Sequence, residues 1–280
     1  MFSKVLRYDL KNGLLQEYKR YLWIVFVFAV MWLDYFLRSP AFRAMIPDAD
    51  TTLGDYYAFT FLGMVEYIPA KGQPFRFPAI WMLILLLVLY IVLYYPYKDL
   101  MGFGRHVLVN ARTRAAWWLS KCFWVILGVL IYFALYYAVI FLLCLLAGVT
   151  LSLTVSTSIF YAYVPPQLMA GQFAEQFLVE LLVMPVLLAA TLGLVQLTLS
   201  LIIKPFFSYC VSVAVLLVSA YYASPFLIGN YAMLLRSQRV VNNGVAWRSG
   251  IYMQLGIILF SVLLGLVIFR NFDVVDKRND

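Results

Sequence analysis

The sequence predicts an all-α polytopic membrane protein, and three observations carry that reading. Hydrophobic residues make up 65% of the 280 residues and charged residues only 12%, with a mean hydropathy of +0.89. A soluble domain carries about 25% charged residues, so this chain has too little polar surface to cover a globule in water. The apolar residues also fall into long runs, and a hydrocarbon core about 30 Å thick needs about 20 of them in a helix. Finally, the basic residues flank these runs and do not gather on one face. The formal charge of +8 therefore reads as membrane orientation and lipid contact, with no nucleic-acid partner expected.

Six transmembrane helices are expected, near residues 21–37, 79–95, 116–147, 177–203, 206–228 and 251–269. They make residues 21–280 one membrane domain, preceded by an amphipathic segment at 1–20. No cleavable signal peptide is expected, because the first apolar run lies behind a long mixed-charge segment and no small-residue cleavage site follows it. Phe2, Leu6, Leu10 and Leu14 recur at helical spacing while Lys4, Arg7, Lys11 and Lys19 fall on other faces. That pattern describes a helix lying on a membrane surface, weakened at Asn12-Gly13; an unstructured basic tail is the alternative. The third and fourth runs exceed the minimum and must tilt, bend or project. Pro185 marks a kink in the fourth. Lys204-Pro205 leaves almost no loop, so the fourth and fifth spans should form an antiparallel hairpin.

Two thirds of the 21 Lys and Arg residues fall on one side of this arrangement. The positive-inside bias makes that side cytoplasmic and puts both termini there, in agreement with an even number of spans. On the other side, the loop from Arg38 to Phe77 is long enough to hold short helices. The loop from Gly148 to Gln176 reads as a surface segment, and Gly229 to Gly250 as a short interfacial helix.

Motifs for catalysis are missing from the sequence. It holds no G-x-x-x-x-G-K-[ST] phosphate loop, and Gly102-Phe103-Gly104 lacks the rest of a dinucleotide fingerprint. The single histidine, His106, cannot by itself build a zinc or nucleophile site. Cys122, Cys144 and Cys210 lie in apolar runs and read as buried hydrophobes. No enzyme activity, cofactor or metal is expected of this chain. Candidate pathway-lining groups are Glu180 and Gln196 in the fourth span and Asp34 near the end of the first, since carboxylates at membrane depth face cavities or partners. Glu180 is equally readable as a carboxylate that reaches interfacial water or caps a neighbour.

The segment after the second span differs from an ordinary loop. Pro96 is expected to end the helix, and Asp99 to cap a short new one. Leu100, Met101, Phe103, Val107 and Leu108 are too apolar for a solvated connection, and Arg105, Arg112 and Arg114 are spread among them. A short amphipathic helix with Phe103 at its tip would fit a groove on a partner; a basic loop lying on anionic lipid is the other reading.

With this segment, the amphipathic start and six spans, the chain resembles the permease subunits of ABC-2 type exporters. The most specific piece is Arg112-Thr113-Arg114-Ala115-Ala116-Trp117-Trp118-Leu119-Ser120-Lys121, which is similar to the basic-aromatic approach to the third span in that class. The resemblance implies an N-terminal elbow helix and a cytoplasmic coupling helix seated in a separate ABC ATPase subunit. On this sequence that contact falls to Asp99, Met101, Gly102, Phe103, Gly104, Arg105 and His106, with Arg112 and Arg114 behind them. It further implies ATP and Mg held by the partner, a second permease chain, membrane-dipping helices matched by residues 236–247, and a bacterial plasma membrane location. The implied function is export of an amphipathic, peptide- or lipid-like substrate. An ion-gradient-driven transporter and a non-transporting scaffold or sensor component are the rival classes.

Overall fold

The computed structural model describes residues 6–9, 12–13, 18–44, 50–69, 75, 77–101, 114–170 and 176–270. Most of these are helical, with only isolated β-bridges and no named strand among the described residues. Eight α-helices organise them: α1 (Tyr18–Arg43), α2 (Leu53–Phe61), α3 (Ala79–Met101), α4 (Arg114–Leu146), α5 (Thr157–Tyr163), α6 (Met184–Leu199), α7 (Pro205–Tyr221) and α8 (Trp247–Arg270). Five helical stretches are long and apolar enough to cross a membrane, namely Leu22–Phe42, Ala79–Asp99, Arg114–Leu146, Val179–Leu199 and Trp247–Arg270. The protein is thus built as a multi-pass membrane protein.

The stretch Val179–Leu199, which ends in α6, lies at the centre of the bundle: 72% of its apolar window is buried, against 17% for α8. The outer helices show why. In α1, Ile24, Phe28, Met31 and Tyr35 are buried at spacings of one helical face, while Leu22, Trp23, Phe26, Val30 and Leu33 point outward. The inward face docks on α4, where Phe28 meets Tyr132 and Tyr136 edge-on at 5.1 and 5.2 Å. The outward face is as apolar as the inward one, which suits lipid and not water. On α8, Gly265 allows close approach: a Cβ built there would lie 1.9 Å from Trp118 Cζ2. Trp118 fills that space and donates Nε1–H to the Val262 carbonyl at 3.0 Å.

Contacts at the helix ends fix which ends lie together. Arg114 donates to the Arg270 carbonyl, and Lys121 joins Asp9 to Asp99. One end of the bundle therefore gathers residue 9, the close of α3, the start of α4 and the close of α8. At the other end, Trp81 at the start of α3 donates to the Ala232 carbonyl, and Tyr137 late in α4 donates to Leu181 before α6.

Several sequence expectations hold and several are corrected. The long outer loop does contain a helix, α2, opened by a capping box in which Thr52 and Asp55 bond each other's backbone N–H. Pro185 falls at a break: a π-helical turn, Val179–Val183, precedes α6, and the proline occupies its first turn, where no N–H is missed. Pro96, however, does not end its helix. α3 runs through it to Met101, because Asp99 is held against α4 by Lys121. The fifth apolar run yields a helix of only 17 residues that stops at Tyr221 instead of reaching 228. Pro225 biases Ser224 away from helix, and the Arg236 side chain takes over the freed carbonyls. The interfacial helix expected in 229–250 is replaced by two 3₁₀ turns, Ile228–Ala232 and Leu234–Arg236.

Candidate functional site

The site is a buried ionic cluster at the end of the bundle from which the segment 102–113 departs. Lys121 lies two helical turns into α4, flanked by Trp117, Cys122 and Trp124, all buried. An ammonium at such depth is costly unless paired, and here it is paired twice. Its Nζ donates to Asp9 Oδ1 at 2.5 Å and to Asp99 Oδ2 at 2.6 Å. The Lys121 and Asp9 side chains are fully buried and Asp99 nearly so. Asp9 also accepts from the hydroxyls of Ser120 at 2.6 Å and Tyr95 at 2.9 Å. The rings of Tyr95 and Trp117 lie 4.8 and 4.9 Å from Nζ, adding cation–π attraction. Beside the cluster, burial raises the Tyr8 hydroxyl pKa, and the Asp99 and Asp9 carboxylates raise it further.

Two carboxylates facing one ammonium leave negative charge here that, among the described residues, the Ser120 and Tyr95 hydroxyls absorb. The mechanical consequence is more specific. Three separate stretches, the one before α1, the close of α3 and the start of α4, meet at one nitrogen. Met101 and Arg114, the last described residues on either side of 102–113, stand two and seven positions from Asp99 and Lys121 respectively. A force on that segment reaches all three stretches together. Gly13 reinforces the joint: it is buried, and a Cβ there would meet Trp124 Nε1 at 2.4 Å. The described part of the N-terminal segment is therefore fastened to the bundle end, and Asn12-Gly13, the expected weak point, forms a π-type turn.

Of the residues singled out from sequence, Asp99 lies in this cluster with its carboxylate turned inward, so it is not the exposed cap of a new helix. Arg114 reaches back to the Arg270 carbonyl at 2.8 Å. Met101 is the last residue of α3. Gly102, Phe103, Gly104, Arg105, His106 and Arg112 lie outside the described residues. Glu180 is buried and bonded by Arg239 at 3.3 Å, whose guanidinium lies over the Phe177 ring; this geometry matches its reading as a carboxylate serving a neighbour. Gln196 is buried, donating to the Leu89 carbonyl at 3.0 Å, with no described partner for Oε1. Asp34 pairs with Arg38 one turn on, at 2.9 Å. The structure does not bring these three together.

Sequence reasoning missed Asp9, Ser120 and Lys121 as a unit. The signal was present: a lysine inside an apolar run demands an anion, and Asp9 is the sole acid in the first sixteen residues. It also missed Arg236. This buried guanidinium donates to the carbonyls of Ser219, Tyr222 and Ala220 at 2.9, 2.5 and 2.6 Å, to Met64 at 3.0 Å and to Asn230 Oδ1 at 2.7 Å. It closes the C-terminal turn of α7 with a charge. Burial pulls its pKa down to about 10, with Glu66 opposing, so it stays charged at neutral pH. Comparison with known proteins adds nothing to this geometry: no family model and no curated protein matches the chain.

Proposed function

We propose that this chain is the permease subunit of an ATP-driven exporter of the ABC-2 kind, moving an amphipathic substrate while a separate ABC ATPase subunit hydrolyses MgATP. The observation that carries the reading is the Asp9–Lys121–Asp99 joint at the root of 102–113. An apolar, arginine-bearing segment rooted in a buried ion cluster is what a partner would need to move the bundle from outside. A coupling helix at 102–113, an N-terminal elbow and a second permease chain belong to the same proposal.

Two further features support it. The N-terminal segment at Asp9 and the close of α8 lie at one end of the bundle, which suits an even number of passes with the short α7 as the return pass. The shared end at Asp9, Lys121 and Arg270 is the basic-rich one, so in this reading it faces the cytoplasm. ATP-driven closure of the partner would then push on 102–113, and the long α4 would transmit the push as a lever to a two-state bundle.

Co-expression with an ABC ATPase subunit tests the reading. Phe103→Ala and Arg105→Ala are expected to reduce co-purification or substrate-stimulated ATP hydrolysis while membrane insertion is unchanged. Unaltered assembly and coupling in both variants would overturn it, as would transport that persists without ATP on an ion gradient alone.

A further inference from the structure

At the end of the bundle opposite the Lys121 joint lies a cavity of about 740 Å³, inside the range of roughly 300–1,000 Å³ typical of small-molecule sites. The close of α1, the close of α2, residues 62–68, the start of α3 and α5 enclose it. It opens where the apolar stretches of α1 and α3 end, which is the headgroup level of any bilayer they span. Its surround is apolar and exposed at Ile68, Phe77 and Leu168. Such a mouth admits a hydrocarbon chain as readily as water.

Among the described residues, the lining carries one charge of each sign, on different elements. Arg38 comes from α1, half exposed, its guanidinium 5.9 Å from the Phe59 ring centroid and bonded to Asp34 on its own helix. Glu66 comes from the 62–68 segment, is exposed, and forms no ion pair with a described residue. Each is balanced from behind. Asp34 offsets Arg38, while the buried Arg236, bonded to the Met64 and Val65 carbonyls, lies close enough to Glu66 to feel its charge. The cavity therefore presents two handles of opposite sign with little net field. A purely cationic or purely anionic guest gains one handle and meets the other as a repulsion.

The handles also differ in chemistry. A guanidinium forks onto phosphate oxygens. A carboxylate beside aromatic rings attracts an ammonium, and Tyr67, next to Glu66, is fixed edge-on between Phe75 and Tyr221 at 5.4 and 5.3 Å. We propose that this cavity binds a zwitterionic amphiphile, with its phosphate on Arg38, its ammonium on Glu66 and Tyr67, and its acyl chain leaving over Ile68 and Phe77. The inference does not depend on the ATPase partner and stands or falls separately from it.

The test uses the full chain in an uncharged maltoside detergent, titrated with short-chain phosphatidylethanolamine, phosphatidylglycerol or an alkyltrimethylammonium, with bound molecules counted by native mass spectrometry. One phosphatidylethanolamine is expected to bind saturably, about tenfold more tightly than either singly charged amphiphile. Glu66→Gln and Arg38→Gln should each weaken it about tenfold, and Ala162→Trp should block it by filling the cavity. Equal or tighter binding of a singly charged amphiphile would overturn the proposal, as would unchanged affinity in Glu66→Gln, a variant at an exposed side chain that leaves packing intact. Free phosphoethanolamine binding as tightly as the lipid would likewise overturn it, by showing that the chain contributes nothing.

Discussion

The two ends of the bundle each bury a cation, and they satisfy it in opposite ways. Lys121 is held by two carboxylates that arrive on side chains from separate stretches of sequence, one of them steadied in turn by hydroxyls. Arg236 is held by an amide oxygen and by backbone carbonyls that have nowhere else to go. An ion pair between side chains can be rearranged when its elements move, whereas a guanidinium capping a helix end is part of the backbone hydrogen-bond ledger. One end is a joint and the other a rivet. The proposed function would work the bundle from the Lys121 end.

Lys121→Met should produce the largest effect. It leaves two buried carboxylates without a cation, and breaking a buried ion pair costs about 3–5 kcal/mol. The informative step is the rescue. A triple variant, Asp9→Asn, Asp99→Leu and Lys121→Met, should recover most of the thermal stability in detergent, because an apolar replacement of a whole buried ion cluster is often neutral. If the triple variant stays as unstable as the single one, the joint is not the separable unit described.

Arg236→Met should cost somewhat less, about 3 kcal/mol, from charged hydrogen bonds lost to several carbonyls. No second-site change of side chain should rescue it, since the acceptors are backbone. A side-chain suppressor found by selection would erase the contrast between the two ends.

Much of this was legible in the sequence, and what was not has a physical reason. Composition and run length specify the all-helical membrane class, and the long α4 was readable to within two residues because no charged residue follows Lys121 in it. Pro96 misled because its local tendency to end a helix was outweighed by a contact 22 residues away, between Asp99 and Lys121. The fifth span was read too long for the same kind of reason: Tyr222 to Ile228 is apolar enough to continue, but Arg236 draws the chain out of the helix. At the site, Asp99 was singled out for a surface role and is found inside, paired with Lys121; the second carboxylate on that lysine, Asp9, lies on a segment that periodicity placed on the membrane surface.

Asp55→Asn is expected to be milder, at about 1–3 kcal/mol. Its carboxylate accepts from the Thr52 and Ser156 backbone N–H groups, and an amide would turn a donor toward one of them. Burial raises its pKa above 3.8 despite those bonds. The folded form thus binds this proton more tightly than the unfolded chain, so the group's contribution is full below its ordinary range and declines as pH rises through the raised value. The wild-type advantage in Tm over Asp55→Asn should accordingly narrow as pH rises above about 4. The smallest effect belongs to Glu180→Gln, below about 1 kcal/mol, because its partner Arg239 is one third exposed and screened. A loss as large as that of Lys121→Met would make Glu180 a third anchor and dissolve the two-ended picture.

The brevity of α7 has a consequence for the surrounding bilayer. Seventeen residues rise only about 26 Å, a few ångströms short of a typical hydrocarbon core, while the neighbouring α3 reaches the full thickness. If α7 is the sixth pass of the proposed topology, lipid beside it must thin to meet it, at a fraction of a kcal/mol per ångström of mismatch. On that topology shorter-chain lipids should collect along that flank, and the protein would carry its own local dimple in whichever membrane it occupies.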